Sequence, residues 1–140
     1  MSKVAVVYWS GTGNTEMMAL QVEKGIKEAG GEAVTFTADQ FTADDIDSFD
    51  AIAFGCPSMG SEVLEEGEFE PMFTSCEPKL KDKKIALFGS YGWGDGQWMR
   101  DWEARCIEDG AKLACEFVIC NETPDADGEA ACQQLGKKLV

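Results

Sequence analysis

The chain has 140 residues, no histidine and a formal net charge of −14, from 26 acidic and 12 basic residues. So acidic a chain disfavours nucleic acids and anionic membranes as partners, and the lack of histidine excludes His-based catalytic triads. A chain of roughly this length buries about 70% of its unfolded surface in one core, so we predict a single domain over residues 1–140.

The chain has neither an apolar stretch long enough to span a membrane nor a signal-peptide pattern, so we expect a soluble, cytoplasmic protein. Its strong negative charge favours redox or other partners with basic docking surfaces, although acidity also serves solubility alone. No two cysteines have the C-x-x-C spacing, so we predict reduced structural thiols and no metal site. These cysteines are Cys56, Cys76, Cys106, Cys115, Cys120 and Cys132.

Strand-like and helix-like patterns alternate along the whole chain. The predicted strands cover residues 3–9, 32–37, 51–56, 84–91 and 113–120. The predicted helices cover residues 14–29, 68–75, 96–109 and 127–139, with a short helical turn at 44–49. Five apolar strands that alternate with helices predict a parallel sheet covered on both faces, in a doubly wound α/β fold. In such folds the ligand lies beyond the carboxyl ends of the strands.

The segment from Ser10 to Thr15, Ser-Gly-Thr-Gly-Asn-Thr, joins the first strand to the first helix. Small hydroxyl and glycine residues before a helix are typical of a phosphate cradle. The segment has no Lys or Arg, which distinguishes it from a nucleotide-hydrolysing P-loop. We therefore predict that it holds a single phosphate with neutral donors. The alternative is an ordinary helix start capped by Thr12 or Asn14.

Two further loops follow the third and fourth predicted strands. The loop 57–62, Pro-Ser-Met-Gly-Ser-Glu, contains the polarizable Met59 beside the flexible Gly60. The loop 90–96, Ser-Tyr-Gly-Trp-Gly-Asp-Gly, places Trp93 among glycines, where it can stack on a planar ligand. Trp98 and Trp102 have helical spacing and are predicted to pack in the core. A phosphate loop with these two loops fits a mononucleotide with a flat ring, without choosing flavin over purine.

Three segments resemble the flavodoxin family. Residues 8–16 resemble its phosphate loop, residues 57–62 with 64–66 resemble the flavin loop of the short-chain clostridial type, and residues 88–96 with 98–102 resemble the second flavin loop. The likeness covers essentially all 140 residues. The predicted uninterrupted strand 113–120 also matches the short-chain class. The resemblance implies a flavodoxin-like three-layer sandwich with a five-stranded parallel sheet in the order 2-1-3-4-5.

The resemblance also implies a function. It implies a monomer that binds FMN non-covalently and carries single electrons at low potential between redox enzymes, cycling between semiquinone and hydroquinone. Such a protein is a carrier and has no catalytic residues. The alternative is an FMN-dependent NAD(P)H reductase of the same fold.

Similarity to the family assigns roles to individual residues. It implies that Met59 and Trp93 lie on opposite faces of the flavin, that the Gly60 peptide flips on reduction, and that Glu62 accepts from flavin N3–H. Met59, Gly60 and Trp93 would tune the redox potentials. The residues implied to bind phosphate are Ser10, Gly11, Thr12, Gly13, Asn14 and Thr15. The others implied to line the ring are Pro57, Ser58, Ser90, Tyr91, Gly92, Gly94 and Asp95.

Overall fold

The computed structural model describes residues 2–140. Its strands are β1 (Lys3–Tyr8), β2 (Glu32–Thr37), β3 (Ala51–Gly55), β4 (Lys84–Tyr91), β5 (Lys112–Leu113) and β6 (Val118–Asn121). Its α-helices are α1 (Asn14–Glu28), α2 (Phe69–Cys76), α3 (Gln97–Glu108) and α4 (Ala126–Lys138). Short 3-10 helices cover Ala38–Gln40, Ala43–Ser48 and Glu77–Lys79.

All strands are parallel, and the sheet has the order β2-β1-β3-β4-β5, with β6 also paired to β4. The predicted doubly wound fold and strand order are confirmed. Predicted bounds match for β2 and β4. They differ by one residue at the ends of β1 and β3, because Trp9 and Cys56 already leave the strands.

The predicted uninterrupted fifth strand is wrong. β5 pairs with β4 as far as Ile85 and Leu113, and β6 resumes the pairing at Phe88 and Val118. Four residues, 114–117, therefore lie opposite only two residues of β4, so the ladder breaks and the edge bulges. The sheet has five strand positions, and two short strands share the last one.

Side chains alternate between the two faces of the sheet, as the twofold period of a strand requires. Val4 and Val6 of β1 face α1 and α4, whereas Ala5 and Val7 face α2 and α3. The face of the sheet covered by α2 and α3 also buries Trp98 and Trp102, each only 2% exposed. The prediction that both pack in the core is confirmed.

Two glycines set the spacing of α1 and α4. A Cβ atom on Gly25 would collide with the backbone of Gln133, and one on Gly136 would collide with the backbone of Val22. The two helix backbones are therefore in direct contact near their C-terminal ends, which only glycine permits. This contact holds the first and last helices on the same face of the sheet.

No helix within residues 2–140 combines the length and the hydropathy needed to cross a bilayer. All six cysteines are free thiols, and five of them are buried, as expected for structural thiols.

Candidate functional site

The strand order places a cleft at the carboxyl edge of the sheet. β1 lies between β2 and β3, so the connections after β1 and β3 leave in opposite directions and open a space between them. The cleft measures about 380 Å³, within the range of small-molecule sites. Its lining residues are Trp9, Ser10, Gly11, Thr12, Asn14, Thr15, Pro57, Ser58, Met59, Ser90, Tyr91, Gly92, Glu122 and Thr123.

The first wall of the cleft is the turn from β1 into α1. Gly13 occupies the N-cap position with φ of 96°, a conformation that favours glycine, and it has no side chain with which to cap the helix. Ser10 Oγ instead accepts from the N–H groups of Gly13 and Glu16, at 3.1 and 3.3 Å. The alternative of a helix start capped by Thr12 or Asn14 is therefore wrong.

This turn leaves donors available. Within residues 2–140, the amide N–H groups of Thr12, Asn14 and Thr15 have no hydrogen-bond acceptor. They lie at the positive end of the α1 dipole, where an anion is stabilised. The lining residues include no Lys or Arg, so neutral donors alone face this part of the cleft. The donor set fits a phosphate group.

A buried pair of hydroxyl groups joins the first and fourth loops. Thr15 Oγ1 lies 2.7 Å from Ser90 Oγ, and the two residues are 1% and 4% exposed. Ser58 N–H donates to the Ser90 carbonyl at 3.0 Å, which ties the third loop to the same point. The three predicted loops therefore meet at Ser90, one residue before the end of β4.

The loop 57–63 closes on itself at Met59 and Val63. Each N–H of this pair donates to the other carbonyl, at 2.8 and 3.0 Å. Gly60 and Glu62 both have positive φ, 50° and 56°. A Cβ on Gly60 would meet no atom within 4 Å, so this turn is open to solvent. Gly60 therefore lies at an exposed and conformationally adaptable position at the rim of the cleft.

Five of the predicted ring residues, among them Trp93 and Glu62, lie outside the cleft. Trp93 is 62% exposed, in a loop where Gly94 and Gly96 have φ of 86° and 92°. Glu62 faces a separate small hollow beside Trp98 and Trp102, and its Oε1 is buried without a hydrogen-bond partner within residues 2–140.

The other predicted residues outside the cleft are Gly13, Gly60, Gly94 and Asp95. Gly13 lines a neighbouring acidic hollow with Glu16, Asp39 and Glu68. The Asp95 side chain is exposed and pairs with Arg100 at 3.0 Å.

Three cleft residues are missing from the predicted set: Trp9, Glu122 and Thr123. Trp9 separates the cleft from the acidic hollow, and its Nε1 donates to Glu68 Oε1 at 3.0 Å. Glu122 N–H donates to the Tyr91 carbonyl at 2.7 Å, and Thr123 Oγ1 donates to Asn14 Oδ1 at 3.1 Å. The rule that ligands lie beyond strand ends points to the loop after the last strand, which contains Glu122 and Thr123.

Glu65 stabilises the segment that joins the Met59–Val63 turn to α2. Its carboxylate accepts from the N–H groups of Gly67, Glu68 and Phe69 at 2.7–2.8 Å, at the start of α2. Burial alone would raise the pKa of Glu65, but the hydrogen bonds from these N–H groups outweigh burial and lower it. An ionised Glu65 therefore holds the segment between the Met59–Val63 turn and α2.

Fold and cleft together define a doubly wound α/β protein with a site for a phosphorylated ligand at the switch point of the sheet. A family model described as Flavodoxin matches residues 6–136. The flavodoxin of Megasphaera elsdenii is 48% identical over 134 residues, which cover 96% of each chain. That of Clostridium beijerinckii is 46% identical over 135 residues, or 96% of this chain and 97% of its own. The solution structure of two-electron reduced M. elsdenii flavodoxin superposes with a TM-score of 0.90 over 97% of both chains.

The chain belongs to the flavodoxin family. The family consists of FMN-binding electron carriers, and membership supports the carrier rather than the alternative NAD(P)H reductase. The resemblance found in the sequence is thereby confirmed.

The hydroxyl pair at Ser90 gives a testable consequence for stability. The Thr15→Val substitution keeps the shape of the side chain but leaves the buried Ser90 hydroxyl without its partner. We expect the free energy of unfolding of the cofactor-free protein to fall by about 1–3 kcal/mol, measured by urea denaturation. The double substitution Thr15→Val with Ser90→Ala should cost less than the sum of the two single changes. Strict additivity would show that the two hydroxyl groups do not interact.

Proposed function

We propose that this chain is a low-potential, one-electron carrier that holds FMN non-covalently in the cleft through the residues of its three predicted loops. The observation that carries the assignment of residues is the unpaired set of N–H donors at Thr12, Asn14 and Thr15. They suit one terminal phosphate, because several neutral donors and a helix dipole converge without a cation.

Ser10 and Gly13 shape the phosphate end of the site. Ser10 Oγ already accepts from two N–H groups, so its own O–H is left to donate to a phosphate oxygen. The left-handed Gly13 turns the backbone so that the next amides point out of α1. The side chains of Thr12 and Asn14, with the backbone of Gly11, complete the ring of donors.

The ring end of the site comes from the other two loops. Pro57, Ser58, Tyr91 and Gly92 form the walls of the cleft, and Met59 lies at its rim. We infer that Met59 and Trp93 cover the two faces of the flavin. Trp93 supports this role because it is a large aromatic side chain left 62% exposed between glycines, where it is free to adjust.

FMN, when bound, supplies the one-electron chemistry, and Gly60 would tune it. The Gly60 turn has open space around it and a φ of 50° that glycine adopts without strain. Its peptide can therefore reorient and present its carbonyl to a flavin N–H. A hydrogen bond made in only one redox state shifts the equilibrium between states.

Charge explains the low potential. The cleft is lined by no basic side chain and includes Glu122, in a chain of net charge −14. An added electron makes the bound ring more negative in surroundings that are already negative. Each 1.4 kcal/mol of that penalty lowers a one-electron potential by roughly 60 mV.

We also infer that the protein acts as a monomer of one domain in the cytoplasm, with redox partners that have basic docking surfaces. One continuous sheet spans residues 3–121, and α4 packs back on α1, which supports one domain. Six free thiols fit a reducing compartment.

The Asn14→Asp substitution tests the phosphate site directly. The new carboxylate lies at a helix N-terminus, where it stabilises the fold, but it repels a bound phosphate. We expect the dissociation constant of FMN, measured by quenching of flavin fluorescence, to rise about tenfold or more. Riboflavin lacks the phosphate and is the matched control, and its affinity should change little. An equal effect on both ligands, or none, would contradict the assignment.

The Gly60→Val substitution tests the redox role of the third loop. A β-branched residue disfavours positive φ by about 1–3 kcal/mol, so the turn loses its adaptability. We expect the gap between the two one-electron potentials to change by roughly 60 mV or more in a spectroelectrochemical titration. The control is Gly60→Asn, since asparagine tolerates this conformation, and its shift should be smaller. Potentials unchanged in the valine variant would exclude the role.

Ionic strength tests the proposed partners. The rate of electron transfer to a basic haem protein should fall steeply as salt is raised, because screening removes the long-range attraction. The exposed Glu66 lies beside the site, so Glu66→Gln should weaken this salt dependence. Glu108→Gln, at the far end of α3, is the matched control and should leave it unchanged. A rate that does not respond to salt would rule out electrostatic docking.

A further inference from the structure

Cys56 directly follows β3, at the point where the third loop begins. Its side chain is fully buried, and its N–H donates to the Phe88 carbonyl of β4 at 3.1 Å. Its carbonyl accepts from Trp98 Nε1 of α3 at 3.3 Å. A Cβ on Gly89 would collide with this carbonyl, so the glycine of β4 leaves room for the contact. The backbone of Cys56 is therefore held by β4 on one side and by α3 on the other.

The thiol of Cys56 contacts both ends of the segment 57–65. Its S–H donates to the Pro57 carbonyl, with 3.6 Å between sulfur and oxygen, and its sulfur accepts from the Glu65 N–H at 3.4 Å. Burial raises the pKa of this thiol well above its ordinary value, so the proton needed for donation stays on the sulfur. The two hydrogen bonds form a thiol bridge, in which one sulfur atom joins the start of the segment to its end.

The other backbone contacts of the segment leave its tip free. Ser58 N–H donates to the Ser90 carbonyl, and the Met59–Val63 turn is closed by its own pair of hydrogen bonds. Past the turn, the bond from the Glu65 N–H to the sulfur returns the chain to the end of β3. Within the part of the chain that the structure describes, the N–H groups of residues 60–62 have no acceptor. The ends of the segment are thus fixed, and its tip is not.

We propose that Cys56 is a positioning residue for electron transfer: its thiol bridge holds both ends of the segment 57–65 at the end of β3, so that rearrangement of the loop is confined to residues 60–62. The redox part of this inference rests on the proposed role of Gly60 in tuning FMN, whereas the thiol bridge itself is independent of that role.

Loss of the thiol bridge should act on the tip through its conformational freedom. Thiol hydrogen bonds are weak, but a partly buried N–H left without an acceptor costs more than the bond itself contributes. Without the sulfur, the end of the segment at Glu65 is released, and the tip samples more backbone conformations. The orientation of the Gly60 peptide that meets a flavin N–H is then populated less. Since that hydrogen bond is proposed to form on reduction, its loss lowers the first of the two one-electron potentials.

The first test detects the thiol bridge without reference to redox chemistry. Amide hydrogen exchange in the protein as purified compares Glu65 with its neighbour Glu66, whose N–H has no acceptor within residues 2–140. After correction for intrinsic rates, we expect the Glu65 amide to exchange at least tenfold more slowly than that of Glu66. Cys56→Ala should remove most of this difference. Equal protection of the two amides in the unsubstituted protein would overturn the thiol bridge, even if the variant does not fold.

The second test measures the one-electron potentials by spectroelectrochemical titration, with FMN in excess over the protein. Cys56→Ala should lower the first potential by an amount equal to a threefold or larger change in the equilibrium constant, roughly 30 mV. Cys56→Ser keeps a donor and an acceptor at this position, so it should restore at least half of that shift. An unchanged first potential in the alanine variant, or no restoration by serine, would overturn the positioning role.

Cys76→Ala is the matched control. Cys76 is equally buried in the same core cluster, but it lies in α2, and its thiol donates to Met72 Sδ of that helix at 3.8 Å. The control removes the same atoms from the core without releasing the segment 57–65, so both potentials should stay unchanged. An equal fall of the first potential in both alanine variants would indicate a general loosening of the core and would overturn the specific role of Cys56.

The variants also separate this inference from the function on which it rests. If Gly60→Val shifts the potentials and Cys56→Ala does not, the role of Cys56 is refuted and the proposed role of Gly60 stands. If neither substitution shifts the potentials, the tuning role of Gly60 is refuted together with the redox role of Cys56. The exchange rate of the Glu65 amide then still decides whether the thiol bridge exists.

Discussion

The site depends on the position of β1 between β2 and β3. A parallel sheet needs a crossover after every strand, and the order β2-β1-β3 sends successive crossovers to opposite sides of β1. The carboxyl ends of β1, β3, β4 and β6 then surround the cleft. The phosphate turn, the Met59–Val63 turn and the loop 121–125 come from distant parts of the chain, yet all three meet there. Their shared anchor is the end of β4, where Ser90 contacts Thr15 and Ser58.

Local pattern was enough to predict most of the fold. β2 and β4 have the predicted bounds because each is bounded by clear stop signals, such as the glycines before β2 and the glycine-rich loop after Tyr91. The break at 114–117 was not predictable, since those residues are apolar enough for a strand. Only the shorter run of β4 opposite them shows that two residues are in excess. An edge strand forms backbone hydrogen bonds with a neighbour on one side only, so the sequence pattern constrains its pairing weakly.

The site was predictable where backbone chemistry defines it and less so where tertiary contacts do. The turn Ser10–Thr15 is recognisable because hydroxyls and glycines between a strand and a helix have few other uses. Glu122 and Thr123 belong to no comparable sequence motif. They line the cleft because β6 ends beside β4, which is a fact of topology. Glu62 shows the converse, since the loop that carries it starts in the cleft with Pro57, Ser58 and Met59, whereas Glu62 itself lines a separate hollow with Trp98 and Trp102.

The glycine contact between α1 and α4 has a mechanical consequence. Gly25 and Gly136 lie near the C-terminal ends of their helices, whereas both helices begin at the cleft. Towards the cleft the same two helices are joined by side chains instead, such as Gln21 Nε2, which donates to Glu129 Oε2 in the first turn of α4 at 3.4 Å. The closest approach of the two backbones therefore lies away from the cleft. The spacing between the phosphate turn and the loop 121–125 is set by side-chain contacts such as the Thr123–Asn14 hydrogen bond rather than by backbone contact.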